Sequence, residues 1–588
     1  MSASAFSASS LILNKSTAKT GTVKPPSTAA PAISRWDYQL RLLAWMATCV
    51  SVFSFLFYYR NGDVLLYGDA VAHINIARRV FDSRTPSLLQ LGTVWLPLPH
   101  LLMLPFLVSN KLWRSGAGGS IPSLVAYVLG VVGTFRLGRA LLRCDDPTAM
   151  PHGAQRKEKL PAPSLSLAPW IAAGIYAANP NLIYMQTTAM GEALYLALFV
   201  WVVVFFAEFL RGESKALTKC AFCLAAASLT RYDGWFLSAI TIAFAVAALL
   251  TPSFLRMDRE ENQGAVISRV AVIRFVLIAA SGPALWLAYN AAVYRNPLEF
   301  ANGPYSAKAI EQKTGTINPA KGDLFAAESY FAKSAELNVA APDWLGRLWL
   351  ALSFAGLVAA MWMRRWPVLL LWTPLPFYAL SIAYGAVPIF IPPWWPHSQY
   401  NVRYGLELLP AFAVSLASLV HFVLRRIADK HKPSMNLNRF RPAIVLAVLA
   451  IVVGGYSSVW ATDPICFREA DINSRSRAAL ESQLAKWIVA LPYNSTLLMN
   501  TGGHSGVLEQ IGFPLRRTIN EGNHRVWKQP SDPEGLWERT LAHPAEFADF
   551  ALAFEGDDVY KALEGRGYRE LVEIETSGQP RAVLFQLR

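Results

Sequence analysis

The segment ALYLALFVWVVVFFAEFL at positions 193–210 decides the fold class, because it is long and apolar and carries a single charged residue, Glu208. As a helix, such a run matches the hydrocarbon thickness of a bilayer. Ten further runs of similar character predict helices near 37–59, 120–141, 166–185, 216–230, 234–252, 272–293, 344–362, 367–389, 404–423 and 442–460. We therefore predict a polytopic α-helical membrane protein with about eleven transmembrane helices.

The composition agrees with this fold class. The chain has 588 residues, of which 53% are hydrophobic and 19 are Trp, and its mean hydropathy is +0.29. These values exclude an ordinary soluble enzyme of this length. The net charge of +14 comes largely from Lys and Arg in short loops between the apolar runs, which is the pattern of topogenic charge rather than of nucleic-acid binding.

Charge asymmetry sets the expected orientation in the plasma (inner) membrane. Residues 1–35 are rich in Ser, Ala, Thr and Pro and predict a disordered cytoplasmic tail. Alternating spans after that tail place the basic loops in the cytoplasm, as the positive-inside rule requires. The run 95–106 contains three prolines and is short, so we interpret it as an interfacial helix within a long external loop, 60–118.

The chain changes character after residue 460. Polar residues and glycines return, and strand-like runs at 496–500, 550–554 and 582–587 alternate with helical stretches. This pattern predicts a C-terminal extracytoplasmic α/β domain at 461–588, following the transmembrane domain at 36–460.

With this topology, polar and ionisable groups from five separate stretches face the outside. Ionisable groups near the hydrocarbon boundary are costly unless they are paired or used, so their convergence suggests a shared cavity, although solvated loop charges would give the same pattern. The candidates are Asp69, His73, Glu192, Arg231, Asp233, Tyr305, Lys308, Asn401, Arg403 and Tyr404.

Two carboxylates stand at predicted helix starts. Asp69 follows a glycine, and His73 falls one turn later on the same helix face. Glu192 follows the polar stretch TTAMG and opens an apolar helix. Either carboxylate could be a simple helix cap, and together they could perform acid/base chemistry.

Cationic groups on the same side suit a phosphate. Arg403, at the outer end of a predicted span, is a planar multi-donor cation at the height of lipid head groups. The alternative is an interfacial arginine whose head group reaches for water. Lys308 and Arg231 could add positive charge to the same phosphate.

The order of a cytoplasmic amino terminus, one helix, a long external loop with an early acid and about ten more helices resembles the GT-C superfamily of polyprenyl-phosphate-sugar glycosyltransferases. The resemblance covers about residues 36–460 and is to bacterial members related to the protein O-mannosyltransferases and the lipid A aminoarabinose transferase. It is carried by GDAVAHINIARR (68–79), TTAMGE (187–192), LTRYDGW (229–235) and NVRYGLELLP (401–410).

The resemblance implies that Asp69 is the catalytic carboxylate, that Glu192 is a second catalytic acid, and that Arg403 and Tyr404 lie near the lipid phosphate. It implies inverting transfer of one sugar from a polyprenyl-phosphate carrier to a glycan, lipid or protein acceptor outside the cytoplasm. Asp69 would act as general base and Arg403, with Lys308 or Arg231, would neutralise the phosphate.

A monophosphate donor requires no cofactor, although a divalent cation held by Asp69, Glu192 or His73 is an alternative. Two other classes of function fit a many-helix chain. A transporter or lipid flippase would place ionisable groups near the bilayer midplane, and an inactive envelope scaffold would need only its external domain.

Overall fold

The computed structural model describes residues 35–142, 167–251, 268–315, 317–429, 441–523 and 534–588. The tail predicted for residues 1–35 lies outside the described residues up to position 34, as do many of the basic loop residues, among them Arg156 and Arg256. The helices of the first 461 residues are α1 (Arg35–Asn61), α2 (Gly68–Arg79), α3 (Pro97–Leu107), α4 (Asn110–Arg114), α5 (Ala117–Leu142), α6 (Ala168–Ala177), α7 (Pro180–Met185), α8 (Glu192–Leu210), α9 (Ser214–Ser228), α10 (Asp233–Leu250), α11 (Arg269–Tyr294), α12 (Glu299–Asn302), α13 (Ala307–Thr314), α14 (Leu324–Leu337), α15 (Asp343–Trp362), α16 (Pro374–Tyr384), α17 (Leu409–Asp429) and α18 (Arg441–Ala461).

The chain is a polytopic membrane protein. Within the described ranges, nine helical segments are long and apolar enough to cross a membrane. Large apolar side chains on these segments are strongly exposed, including Phe53 at 73%, Leu277 at 68% and Trp362 at 70%. A soluble protein seldom leaves so many large apolar groups in water, whereas lipid accommodates them.

Two of the eleven predicted spans are helical but interrupted or short. The predicted span 166–185 is broken at Asn179, whose side-chain oxygen accepts a hydrogen bond from the Leu182 backbone amide, with Pro180 starting the next helix. The predicted span 216–230 is the 15-residue helix α9. At about 1.5 Å per residue, such a helix is shorter than the hydrocarbon core.

The proline-rich run near residue 100 forms α3, an 11-residue helix that is too short to span. Pro97 and Pro99 stand in its first turn, where a missing backbone N–H costs little. The helix packs against α2 and α5 and so helps to fix the external loop on the helix bundle. This agrees with the interpretation of the run as a non-spanning element.

The C-terminal residues form the predicted small α/β unit. Its five-stranded sheet has the order β2-β1-β3-β5-β4, in which β1 pairs in parallel with β2 and β3, and β5 pairs antiparallel with β3 and β4. The strands are β1 (Leu497–Met499), β2 (Thr518–Ile519), β3 (Phe550–Phe554), β4 (Arg569–Ile574) and β5 (Ala582–Gln586), and the helices are α19 (Ile465–Ile488), α20 (Gly506–Ile511), α21 (Leu536–Ala542), α22 (Pro544–Phe547) and α23 (Asp558–Leu563).

Helix α19 joins this unit to the membrane region. Its first turn is held on two sides, because the Cys466 backbone amide donates to Asn181 Oδ1 (2.9 Å) and the Cys466 carbonyl accepts from the Tyr67 hydroxyl (2.8 Å). The start of α19 is therefore buried against α7 and the start of α2, although the helix follows the last predicted span.

Candidate active site

Asp69 lies in the first turn of α2, after the N-cap residue Tyr67, whose side chain makes no capping hydrogen bond. Asp69 Oδ2 accepts a hydrogen bond from Arg403 Nη2 at 2.7 Å, while 40% of the side chain remains exposed. The interpretation of Asp69 as a simple cap is therefore wrong. It is a carboxylate anchored on one side and accessible on the other.

Arg403 stands in a 3-10 turn, Val402–Leu408, that leads into α17. Its guanidinium contacts three carboxylates at once, donating from Nε to Glu192 (3.2 Å), from Nη1 to Glu469 (2.7 Å) and from Nη2 to Asp69. The Arg403 side chain is only 7% exposed, and Glu192 and Glu469 are 2% and 1% exposed. Arg403 is not an interfacial arginine extended toward water, because its charge is held inside the protein.

Arg231 forms the second cationic centre, in the short connection between α9 and α10. It donates to Glu192 Oε1 (3.1 Å), Asp233 Oδ2 (3.2 Å) and the Tyr378 hydroxyl (2.8 Å). Glu192 Oε1 thus links the two guanidiniums. The interpretation of Glu192 as a mere cap is also wrong, since its carboxylate pairs with arginines and the N-cap position belongs to Gly191.

Tyr404 lies against both arginines. The Arg231 and Arg403 guanidinium carbons are each 5.1 Å from the centroid of its ring. The face of an aromatic ring at this distance attracts cations. The uncharged Tyr404 ring also separates the positive charges of the two arginines. The ring also stacks on Tyr378, at 5.2 Å between centroids, which fixes its plane.

The site is rich in carboxyl groups. Two guanidiniums, Arg231 and Arg403, face the carboxylates of Asp69, Glu192, Asp233, Glu407 and Glu469. Glu407 is fully buried, and neither of its oxygens makes a hydrogen bond, although Oε1 lies 3.5 Å from Arg231 Nε. An additional anion placed directly at Arg403 would compete with the three carboxyl groups that already accept its hydrogen bonds.

A histidine pair lies beside Asp69 on the external loop. His73 Nδ1 and His100 Nε2 are 2.8 Å apart and share a hydrogen bond, and the His73 ring lies 4.9 Å from the Trp95 ring. Burial, followed by the charges of Arg403 and Arg231, lowers the pKa of His73 to about 3. Burial also holds the pKa of His100 well below its usual range. Both rings are therefore neutral at pH 7.

These groups line a cavity of about 710 Å³, here called the first cavity. Its polar lining residues include Asp69, His73, Glu192, Arg231, Asp233, Arg403 and Tyr404. Apolar and aromatic residues line it too, among them Phe300, Phe377, Tyr384 and Val387, so that the membrane span Trp366–Tyr384 borders the cavity. A ligand with a polar head and an apolar chain matches this combination of lining residues.

The remaining predicted residues occupy different places. Lys308 also lines the first cavity and, within the described residues, pairs with no other group. Tyr305 lines a neighbouring cavity and is not in the cluster around Asp69. Asn401 is buried in the left-handed conformation (φ 57°), and its side chain donates to the Pro388 carbonyl, so it shapes the turn before Arg403.

Three groups of this site were not predicted from the sequence. Glu469 belongs to α19, beyond the last predicted span, where a charged helical residue is normally solvated. Glu407 was quoted within a motif without being assigned a role. His100 lies in the proline-rich run, and its place in the site becomes visible only through its hydrogen bond to His73. Nothing in the spacing of the sequence marks Glu469 or His100.

Metal binding was the alternative for Asp69, Glu192 and His73. Across the residues that the structure describes, no three His, Cys, Asp or Glu side chains are arranged to hold a metal ion. Asp69 and Glu192 instead share the Arg403 guanidinium, and His73 is turned toward His100.

Solved structures share this fold. ArnT from Cupriavidus metallidurans in the apo state aligns with a TM-score of 0.53 at 13% identity, covering 94% of this chain and 99% of ArnT. The same protein bound to undecaprenyl phosphate aligns with a TM-score of 0.51 at 13% identity, covering 94% of this chain and 98% of ArnT. AglB from Archaeoglobus fulgidus, an oligosaccharyltransferase in complex with an inhibitory peptide and a dolichol-phosphate, aligns with a TM-score of 0.45 at 12% identity over 93% of this chain and 74% of AglB.

No family model matches the sequence, and no curated protein matches it. The likeness to ArnT extends over nearly the whole length of both chains, so it includes the helix bundle and the C-terminal residues. The fold expected from the resemblance, a polytopic GT-C-like membrane region followed by a small α/β unit, is confirmed.

Proposed function

We propose that this protein is a membrane glycosyltransferase of the hexosyltransferase type, which moves a sugar from a polyprenyl-phosphate carrier to an acceptor hydroxyl with inversion at the anomeric carbon. One observation carries the proposal. Of the three carboxylates bound to Arg403, Asp69 alone is substantially exposed to the first cavity, at 40% against 2% for Glu192 and 1% for Glu469. A general base must reach the proton of the acceptor hydroxyl, and the exposed Asp69 carboxylate can do so.

The bond changes follow from this placement. Asp69 takes the proton of the acceptor hydroxyl as the acceptor oxygen forms its bond to the anomeric carbon. The bond between that carbon and the phosphate oxygen breaks on the opposite face, and polyprenyl phosphate leaves with the electron pair. Phosphate departs without a strong acid, so the protein needs only to stabilise its charge.

The sequence analysis assigned the donor phosphate to Arg403, and the geometry argues for a different role. Three carboxylates already compensate this guanidinium, so an anion there would compete with Asp69, Glu192 and Glu469. We assign Arg403 the task of fixing Asp69. Lys308, which also lines the cavity, carries an ammonium group that is free to bind the phosphate.

The other residues position these groups. Glu192 and Asp233 hold the guanidinium of Arg231 in place. The Tyr404 ring lies against the guanidiniums of both Arg231 and Arg403 and keeps them apart. The neutral His73 can donate or accept a hydrogen bond with a sugar hydroxyl. The reaction needs no metal ion, because a single ammonium group and the protein's dipoles suffice for a monophosphate leaving group.

The carrier and the location belong to the same proposal. The span bordering the first cavity and the undecaprenyl phosphate bound by ArnT both support a polyprenyl phosphate carrier. The positive-inside pattern supports a plasma membrane protein whose site and C-terminal unit face away from the cytoplasm.

Purified protein in nanodiscs tests the proposal with radiolabelled polyprenyl-phosphate hexoses and extracted envelope glycans, lipids and proteins as acceptors. The expected result is label transfer with release of polyprenyl phosphate. Movement of an intact donor across the bilayer of sealed proteoliposomes without bond cleavage would instead favour a flippase. A folded protein that neither cleaves nor moves any donor would favour a scaffold.

A further inference from the structure

A second cavity of about 680 Å³ lies next to the first, within the size range of about 300–1,000 Å³ that is common for ligand sites. The two cavities share Val94 and Trp95 as lining residues. On helix α2, Asp69 and His73 face the first cavity, whereas Ala72 and Ile76 face the second. The second cavity therefore reaches the immediate surroundings of the base from the other side of Trp95.

The C-terminal unit forms one wall of this second cavity. Thr501, Gly502 and Ser505 follow strand β1, and Asn520–Gly522 follow strand β2. Other lining residues come from the membrane region, among them Gln90, Tyr294 at the end of α11, and Tyr305. Glu469 of α19 already connects the C-terminal unit to the site through Arg403, and the second cavity adds a connection through the loops that follow β1 and β2.

The charged groups of the second cavity are already compensated. Arg79 pairs with Glu521 (3.4 Å), and Glu521 also accepts hydrogen bonds from the Thr501 backbone amide and hydroxyl. Glu299 accepts from Asn296 Nδ2 at 2.9 Å. The lining therefore offers no concentrated charge for a phosphorylated ligand.

The neutral polar and aromatic groups indicate another kind of ligand. Gln90 is 4% exposed, and its Oε1 has no hydrogen-bond partner, as is also true of Arg79 Nε. A Cβ on Gly522 would lie 2.8 Å from Gln90 Oε1, so a side chain at this position would press on the Gln90 amide. The unpaired Gln90 and Arg79 atoms are shielded from solvent, but the cavity is also lined by the neutral amides and hydroxyls of Asn75, Thr93, Ser505 and Asn520, which can pair with the hydroxyl groups of a ligand.

We propose that the second cavity binds a neutral saccharide, and that this saccharide is the acceptor of the reaction proposed above, on which this inference rests. Sugar hydroxyls pair with amides and hydroxyls such as those of Asn520 and Ser505, and the apolar faces of sugar rings pack on Trp95, Tyr294 and Tyr305. The acceptor hydroxyl reaches Asp69 past Trp95, and the C-terminal unit selects the acceptor.

Two adjacent glycines provide a matched test. Gly502 lines the second cavity, and its neighbour Gly503 does not; both are exposed, and neither has a positive φ. A Cβ would meet only Asn500 Oδ1 (3.3 Å) at Gly502 and nothing within 4 Å at Gly503. Gly502→Trp therefore fills the cavity mouth, and Gly503→Trp adds the same side chain beside it.

The experiment measures binding of methyl glycosides of neutral trisaccharides, and of their phosphorylated counterparts, to full-length protein in nanodiscs by saturation-transfer NMR. We expect neutral probes to bind the wild type and Gly503→Trp, and to bind Gly502→Trp about tenfold more weakly or worse. Undecaprenyl phosphate should bind all three equally. Tyr305→Ala should weaken the neutral probes, and Tyr305→Phe should restore them.

Several outcomes overturn the inference: no neutral probe binds the wild type, phosphorylated probes bind better, or Gly502→Trp binds as well as Gly503→Trp. These measurements need no turnover. Failure of the proposed function would appear separately, as a wild-type protein that binds saccharides and does not cleave donor.

Discussion

Arg403 Nη2 lies 2.7 Å from Asp69 Oδ2, although 334 residues separate the two in sequence. The contact joins the start of α2 in the external loop to the turn that precedes α17. It orients the only Arg403-bound carboxylate that remains substantially exposed, and the predictions below test the groups arranged around it.

Glu469 should act as a positioning residue for Arg403. It accepts from Arg403 Nη1 (2.7 Å) and from the Val402 backbone amide (2.6 Å). Glu469→Gln keeps the shape of the side chain and removes its charge. Because hydrogen bonds to charged groups contribute about 1.5–3 kcal/mol, kcat should fall about tenfold to a hundredfold. The KM for donor should stay unchanged. Steady-state kinetics with both substrates varied measures the two constants separately.

Asp471→Asn is the control for Glu469, since it removes a carboxylate two residues away on α19 whose partner, Arg475, is solvent-exposed. Wild-type kcat in Glu469→Gln, or equal losses in the two variants, would contradict the positioning role.

Lys308 should bind the donor phosphate. Lys308→Ala should raise the KM for donor about tenfold to a hundredfold, because it removes a charge-assisted hydrogen bond to an anion. Lys308→Arg should recover most of the affinity. Lys313→Ala serves as the control, because Lys313 lies on the same helix, α13, and does not line the first cavity. If Lys308→Ala binds undecaprenyl phosphate as tightly as Lys313→Ala, the phosphate lies elsewhere.

The histidine pair should make stability depend on pH. Burial, then Arg403 and Arg231, lower the pKa of His73 from 6.5 to about 3, so the unfolded chain binds a proton that the folded chain excludes between these values. The stabilisation is fully present above pH 6.5 and is lost as the pH falls toward 3, by about 1.4 kcal/mol per pH unit for one such group.

His73→Asn should remove this dependence in part. Thermal unfolding in detergent at pH 7.5 and 5.0 should show a smaller fall in Tm for His73→Asn than for the wild type. His397→Asn, which replaces an exposed histidine, should behave as the wild type. An equal fall in Tm between pH 7.5 and 5.0 in all three proteins would show that His73 does not exclude a proton in the folded state.

Removal of divalent cations should leave the reaction intact. Asp69 and Glu192 are bound to Arg403, so a cation would have to displace a guanidinium to reach both. Initial rates after exhaustive EDTA treatment should equal those before it. A loss of activity that Mg²⁺ or Mn²⁺ restores would show that a metal ion takes part, and the mechanism would need revision.

Much of the fold follows from the sequence because helix length and loop charge are local properties. Nine of the predicted spans are long apolar helices, and alternation of direction brings Asp69, Glu192, Arg231 and Arg403 to the same side when the interrupted span 166–185 and the short span 216–230 are counted as crossings too. The break at Asn179 was missed, since the apolar run continues across it and only the Asn-Pro pair marks the interruption.

The partners within the site could not be predicted in this way. Glu469 is buried because the first turn of α19 is held by Asn181 and Tyr67, contacts between segments that are far apart in sequence. Asn401 and Tyr305 were grouped with Arg403 because they share its side of the membrane. Position along the membrane normal does not distinguish a turn residue from a ligand or one cavity from its neighbour.

The exchange of Asp69 tests the central claim most directly. Sugar transfer is measured under single-turnover conditions with saturating donor for the wild type, Asp69→Asn and Asp63→Asn. Asp63→Asn is the matched control, because it alters the same external loop outside the first cavity. Loss of a general base should slow Asp69→Asn about 100- to 10,000-fold, with donor binding and Asp63→Asn unchanged. Transfer by a folded, donor-binding Asp69→Asn at the wild-type rate would contradict the account.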